Sequence, residues 1–331
     1  LGVRQLYARQ IHTCRRLKAK EMILLIKYIL KRVAIGLATL FILTTVVFVL
    51  MKSLPGGPFD SERVTDPRVI EIMERAYNLD KPYHIQYLLY LRDLLQGNLG
   101  ESFKKSGITV NSMIVRLTPT TMKLGLVAMV VSIVFGLTLG IISALTKKQW
   151  VRSIIVVFAT IGVSVPGFLL ALLMIYAFTV HLHILPTMGL TSWKHYIMPS
   201  LALSFSPVAY MTRMTRSSLS EVLRQDYITM ARATGLSKLD VIIRHALKNA
   251  MLPIVTYLGP LISGLLTGSF VVETMFAIPG IGREFVSAIT GRDYPVIMGL
   301  TIFIGAFVIV MNLVSDIAAA VVDPRIRLGS K

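Results

Sequence analysis

The sequence predicts an all-α integral membrane protein with six transmembrane helices and both termini in the cytoplasm. Hydrophobic residues make up 54% of the 331 residues, and the mean hydropathy is +0.68, a composition typical of membrane proteins. Most of its uncharged apolar runs reach the roughly 20 residues that cross a bilayer as a helix. The six runs cover residues 33–51, 124–145, 153–180, 196–212, 252–272 and 296–315.

The run 196–212 is the weakest of the six because it is short and contains Pro199 and Pro207. Proline is tolerated within spans where neighbouring helices satisfy the freed backbone groups. The run is therefore kept as the fourth predicted span.

Lys and Arg are distributed unevenly between the two predicted sides of the membrane. Of the 35, 22 fall on the side that holds both termini, in segments 1–32, 146–152, 213–250 and 325–331. Cytoplasmic loops carry the excess of Lys and Arg, so both termini are predicted to be cytoplasmic. Topology and anionic lipid head groups account for the net charge of +18, and no nucleic-acid partner is expected.

Three parts of the chain lie outside the spans. Residues 1–21, ahead of Met22, are predicted to be an N-terminal extension, and 22–331 the transmembrane domain. The sequence of the outer loop, about 52–123, predicts an amphipathic helix that begins near Pro82 and ends at Gly97. This helix is expected to be a lid on the outer mouth or to lie in the interface, with a separate binding domain as the alternative.

The segment 213–250 is the large polar region on the cytoplasmic side. Burying its seven Lys and Arg residues in hydrocarbon would cost on the order of 20 kcal/mol. A helix over 219–234 is predicted to end at a left-handed Gly235. Ser237 with Asp240 resembles a capping box that starts a second helix.

The sequence contains no P-loop, HExxH, CxxC or GxSxG pattern, and no catalytic residue is predicted. Ser102 and Lys105 match SxxK, but the companion motifs are missing. His181 and His183 are two imidazoles without a nearby Cys or carboxylate, which makes a poor metal site. We expect neither an enzyme centre nor a bound metal.

Ionisable residues within the spans are few. Asp316 and Glu273 lie near span ends, where we expect them to cap or pair rather than relay protons. A secondary transporter needs an ion-coupling group at mid-membrane, so that class is disfavoured. A membrane structural or receptor protein without transport stays open as a third class.

Small and mildly polar residues are frequent in the spans, and close helix packing explains most of them. A minority are candidates to line a path for polar, uncharged groups such as peptide bonds. These candidates are Ser164, Ser204, Ser206, Thr256, Ser263 and Thr267.

Four ordered motifs make the chain recognisable. The stretch "RMTRSSLSEVLRQDYITMARATGLSKLDVIIRHALKNAMLPIVT" is followed by "ETMFAIPGIGREF", "GRDYPVIMG" and "DPRIR". With "LPGGPF", "LDKP" and "GNLG" in the outer loop, the chain resembles the B-type permease subunit of bacterial ABC importers for oligopeptides and dipeptides. The resemblance covers nearly all of residues 22–327, and the form "GGPF" favours oligopeptides.

The resemblance implies the ABC importer permease fold and a channel-forming role in ATP-driven oligopeptide import. It implies a homologous second permease, two cytoplasmic ABC ATPases that bind ATP and Mg, and an extracellular or periplasmic peptide-binding protein. This chain itself is then expected to bind no cofactor and to lie in the bacterial plasma (inner) membrane. Import of dipeptides, nickel or another small solute is the alternative.

The resemblance also implies that the segment around Gly235 is the "EAA" coupling loop, which seats on an ATPase. Thr229, Met230 and Ala231 stand at the EAA positions, and the glutamate is absent. Asp226, Tyr227 and Arg232 are candidates to replace its contact. The coupling residues implied are Asp226, Tyr227, Ala231, Arg232, Ala233, Gly235, Leu236 and Ser237.

Overall fold

The computed structural model describes residues 2–53, 71, 75 and 77–322, with side chains between residues 27 and 317 of those ranges. The described chain is helical and contains no strand beyond an isolated bridge between Glu101 and Thr109. The first six helices are α1 Gly2–Ser53, α2 Tyr83–Leu95, α3 Val110–Leu145, α4 Gln149–Ser164, α5 Gly167–Met174 and α6 Lys194–Val222. A π-helical segment, Ile175–His181, follows α5 directly.

The second half of the chain begins with α7, Asp226–Ala233. Helix α8 starts as Lys238–Asp240, continues as the π-helical segment Val241–Leu247 and ends as Lys248–Ala250. The remaining helices are α9 Leu252–Leu266, α10 Phe270–Met275, α11 Ile281–Gly291 and α12 Tyr294–Val322.

Four helical stretches of the described chain are long and apolar enough to cross a membrane: Lys27–Ser53, Val110–Leu145, Leu252–Met275 and Tyr294–Ile317. They coincide with four of the six predicted runs. A fifth candidate joins Gln149–Ser164 to Gly167–His181. The predicted run 196–212 lies in α6, which is not among these apolar helices.

The predicted run 153–180 is not one straight helix. Its two halves meet at an angle of 105°, where Val165 adopts an extended conformation with ψ 122°. Pro166 follows it, and a proline disfavours helical geometry in the residue before it. The bend therefore has a local cause in the sequence.

Helix α6 packs along α3 and α4 at close range. A Cβ atom on Gly140 of α3 would lie 2.5 Å from the Cβ of Thr215, and one on Gly162 of α4 would lie 2.5 Å from the Cβ of Ala209. Such small residues allow helices to approach closely in membranes. Pro199 and Pro207 lie inside α6 without ending it.

The loop between α1 and α3, which was predicted to be the outer loop, packs against the apolar helices α1 and α12 through α2. Tyr87 Oη lies 2.6 Å from Thr45 Oγ1 of α1, and its ring centroid is 5.1 Å from that of Phe48. The Tyr90 ring also stacks on Phe48, with the centroids 6.5 Å apart, and burial raises the pKa of Tyr90 well above its usual value. The part of this loop that carries "LPGGPF" lies outside the described residues.

The two ionisable residues near span ends pair or cap as predicted. Asp316 of α12 forms a 3.1 Å ion pair with Arg32 of α1. Glu273 Oε2 accepts hydrogen bonds from the backbone N–H of Gly282 at 2.8 Å and of Arg283 at 3.3 Å. Glu273 therefore caps the start of α11 from α10.

The residues that match SxxK tie the loop between α1 and α3 to the first turn of α11 and to Asp293, which follows that helix. Ser102 Oγ donates a hydrogen bond to Asp293, and Lys105 pairs with Glu284. Residues 1–21 were predicted to be separate from the fold, and their backbone from Gly2 onward is continuous with α1. That separation stays a prediction.

Candidate functional site

Residues 226–250 hold the predicted coupling residues and form a hairpin of α7, a turn and α8. We name it the coupling hairpin after that prediction. The predicted uninterrupted helix over 219–234 is wrong, because α6 ends at Val222 and α7 starts at Asp226 after an extended Gln225 with ψ 148°. No proline or glycine causes this break. It instead allows Ile228, which is fully buried, to pack in one cluster with Leu219, so tertiary packing overrides local helix propensity.

The turn of the hairpin has the predicted caps. Gly235 is left-handed with φ 84°, and its N–H donates to Arg232 O at 3.1 Å. Ser237 Oγ accepts from the Asp240 N–H at 3.1 Å and donates to Asp240 Oδ2 at 2.6 Å. Asp240 also pairs with Arg244 at 3.4 Å. The turn is therefore fixed by local contacts.

A buried cluster anchors the hairpin to the end of α6. Its fully buried members are Leu219, Ile228, Val241, Ala246 and Ala250, with Ala231 packed against them. Two hydrogen bonds across elements support the cluster. Asn249 Nδ2 donates to Tyr227 Oη at 2.8 Å, and Ser218 Oγ donates to Ala250 O at 2.9 Å. These contacts join the hairpin and α6 into one packed unit.

Seven of the eight predicted coupling residues are exposed: Asp226, Tyr227, Arg232, Ala233, Gly235, Leu236 and Ser237. Ala231 differs because it is half-buried and packs inward. Of the three candidates to replace the EAA glutamate, Tyr227 is held by Asn249. The side chains of Asp226 and Arg232 have no hydrogen bond or ion pair within the described chain.

Of the four most exposed apolar side chains of the hairpin, Leu236 was among the predicted coupling residues and the other three were missed. Met230 is 69% exposed, Leu239 70% and Ile243 60%, with Leu236 at 43%. We call these four residues the apolar set. The signal for it was present, because large apolar residues recur in a passage that is otherwise polar and basic. Together they give the hairpin several large apolar side chains that are exposed in the described chain.

The six path candidates fall into two groups. Ser204 and Ser263 are buried, and Ser263 Oγ donates to Asn312 Oδ1 of α12 at 3.1 Å. Thr267 is half-buried and donates to Ser263 O. Ser164, Ser206 and Thr256 are exposed on α4, α6 and α9. Within the described chain no group of three or more His, Cys, Asp or Glu residues is arranged to hold a metal ion.

Comparison with known proteins identifies the family. Residues 136–328 match the model described as the binding-protein-dependent transport system inner membrane component, and residues 25–125 match its N-terminal region. The chain is 44% identical over 305 residues to the dipeptide transport system permease protein DppB of Bacillus subtilis (strain 168), which covers 92% of this chain and 99% of DppB. It is 40% identical to the oligopeptide transport system permease protein OppB of Escherichia coli (strain K12), covering 92% and 100%.

Two solved ABC transporters have a similar fold. One is described as an inward facing conformation of the MetNI methionine ABC transporter, with a TM-score of 0.54 and 18% identity over 64% of this chain and 96% of that one. The other is an amino acid ABC transporter with histidines, with a TM-score of 0.51 and 16% identity over 65% and 94%. The predicted importer permease fold and membrane location are confirmed. The chain belongs to the binding-protein-dependent transport system inner membrane component family, the membrane permeases of ABC importers.

Proposed function

We propose that this chain is one of two permease subunits that form the transmembrane path of an ATP-driven importer of short peptides. The observation that carries the proposal is membership of the importer permease family, and the exposed apolar set on the hairpin supports it. The peptide substrate is supported by relatives at 40–44% identity that are named for dipeptide or oligopeptide transport. Oligopeptides are favoured by "GGPF", and dipeptides and nickel are the substrates to test against them.

The proposed topology has six spans with both termini in the cytoplasm. Helix α6 has 29 residues, so at 1.5 Å per residue it is about 43 Å long and can cross a bilayer as the additional span. Its close packing against α3 and α4 buries its polar residues Thr212 and Thr215. This topology places the basic hairpin in the cytoplasm, in agreement with the distribution of Lys and Arg.

The proposed coupling works by docking of an ATPase on the apolar set. An ATPase can drive the permease only if its nucleotide states hold the hairpin differently. Because the hairpin shares a buried cluster with α6, a displacement of Met230 or Leu239 is transmitted to that helix. Asp226 and Arg232, which lack partners within the described chain, are proposed to supply the contact of the missing glutamate.

ATP and Mg are proposed to bind to the partner ATPases, because this chain has no P-loop with which to hold them. A homologous second permease and an extracellular or periplasmic peptide-binding protein complete the proposed importer. The proposed path is lined by the exposed Ser164, Ser206 and Thr256, with Thr267 at its edge. Ser263 joins α9 to α12 and Ser204 is buried with a hydrogen bond inside α6, so neither lines the proposed path in this conformation.

Affinity purification of the chain in mild detergent tests the proposed assembly. We expect a second permease and two ATPases to co-purify, and a peptide-binding protein to bind the complex when peptide is added. A chain that purifies without any ATPase would contradict the proposal. Transport that persists without ATP and collapses with an ion gradient would instead indicate a secondary transporter.

A further inference from the structure

A cavity of about 1090 Å³ lies between α4 and α6, at the ends of these helices nearest the coupling hairpin. Four arginines and one glutamate supply its charged lining. They are Arg152, Arg213, Arg216, Arg224 and Glu221. The volume slightly exceeds the 300–1,000 Å³ that is usual for small-ligand sites. The cavity is therefore large enough for a short peptide and strongly positive.

Three of these arginines are available to a ligand. Within the described residues, Arg213, Arg216 and Arg224 form no hydrogen bond or ion pair, including none with Glu221. Arg152 donates one hydrogen bond, to Thr146 O at 2.8 Å. A guanidinium carries five N–H donors in a planar fork that matches a carboxylate, so the lining has unused donors for an anion.

The cavity lies at the end of two helix faces that carry path candidates. On α4, Arg152, Val156, Thr160 and Ser164 follow one another at four-residue spacing, which places them on one face.

On α6, the exposed residues Ser206, Tyr210, Arg213 and Ser217 likewise share a face. The two faces meet at the cavity, because Thr160, Arg213 and Ser217 all line it. A solute that follows Ser164 and Ser206 along these helices reaches the arginines.

We propose that this cavity binds the C-terminal carboxylate of the peptide as it leaves the path. The proposal rests on the peptide-import function proposed above. The terminal carboxylate is present in every unmodified peptide regardless of its side chains, so its recognition suits a permease that accepts many sequences. Charge-assisted hydrogen bonds between guanidinium and carboxylate are stronger than those between neutral groups.

The test uses the importer complex of both permeases and both ATPases, without the binding protein, in nanodiscs of phosphatidylcholine. Equilibrium binding is measured for radiolabelled trialanine and for its C-terminal amide. We expect trialanine to bind about tenfold more tightly than the amide. The variant R213Q/R216Q should lower trialanine affinity to that of the amide and leave amide binding unchanged.

Two further variants separate recognition from charge and folding. K147Q/K148Q removes two exposed charges that are close to Arg152 in sequence but do not line the cavity, and should keep the tenfold preference. R213K/R216K keeps the charge but loses the planar fork, and should keep only part of the preference. Equal affinity of the wild type for trialanine and its amide would overturn the proposal, as would a full preference in R213Q/R216Q.

An anionic lipid head group could bind the same arginines as a peptide carboxylate. Native mass spectrometry of the complex extracted from membranes distinguishes bound lipid from bound peptide. Phosphatidylglycerol retained by the wild type and lost in R213Q/R216Q, without any preference for trialanine over the amide, would overturn the peptide assignment in favour of lipid. Import of trialanine by the wild type distinguishes a failure of the cavity assignment from a failure of the proposed peptide-import function. If the wild type imports trialanine and lacks the preference, only the cavity assignment fails; if it imports no peptide, the proposed function fails.

Discussion

Met230→Asp should separate ATPase docking from folding of the permease. Met230 is 69% exposed in the described chain, so a carboxylate at this position meets solvent and the hairpin keeps its buried cluster. Full burial of a Met side chain against a partner contributes about 1.5–3 kcal/mol. Loss of that contribution weakens ATPase binding by roughly 10- to 150-fold, and burial of an unpaired carboxylate weakens it further.

The assay is equilibrium binding of purified ATPases to the permease pair in nanodiscs, together with the thermal unfolding midpoint of the permeases alone. Met188→Asp is the matched control, because Met188 is 72% exposed in the loop between Ile175–His181 and α6, away from the hairpin. We expect the control to bind ATPases normally and both variants to unfold as the wild type does. Wild-type ATPase affinity in Met230→Asp would refute docking on the apolar set.

Three other substitutions test separate parts of the account. Gly235→Val forces a β-branched residue into the left-handed region at a cost of at least about 1–2 kcal/mol. Peptide uptake per ATP hydrolysed should fall in this variant, whereas Gly235→Asn should retain coupling. Normal coupling in the valine variant would contradict the proposed transmission of movement through the hairpin. Gly140→Ala places a methyl group 2.5 Å from Thr215 Cβ and should lower the unfolding temperature of the complex. Gly264→Ala is the control, because its new methyl group would have no atom within 4 Å, and it should leave the unfolding temperature unchanged. Equal unfolding temperatures for the two variants would argue against the close α3–α6 contact. Glu273→Ala leaves the buried Gly282 N–H without its acceptor and should destabilise the permease by about 1–3 kcal/mol. Glu273→Gln should destabilise it less in the same unfolding measurement. An alanine variant as stable as the wild type would exclude the capping role.

Local signals predicted the turn of the hairpin well because its causes are local. A left-handed Gly235 and the Ser237–Asp240 cap depend on residues within a few positions of each other. The break before Asp226 could not be predicted in this way. It follows from the burial of Ile228 against Leu219 and Val241. These contacts join three separate helical segments, and no turn residue in the sequence indicates them.

The path candidates show a different limit. In a membrane, lipid and helix neighbours are both apolar, so hydrophobic periodicity does not tell which face of a span is covered. Ser204 and Ser206 are two residues apart, yet the first is buried and the second exposed. The helix contacts that decide this are made by α3 and α4, and the sequence of α6 alone does not specify them.

ATP-driven accumulation of peptide tests the central claim most directly. Proteoliposomes containing the complete importer are supplied with radiolabelled trialanine and the binding protein, with ATP on the side of the coupling hairpin. We expect accumulation against a concentration gradient that requires ATP and is lost in Met230→Asp. Absence of accumulation by the wild type, or equal accumulation without ATP, would contradict it.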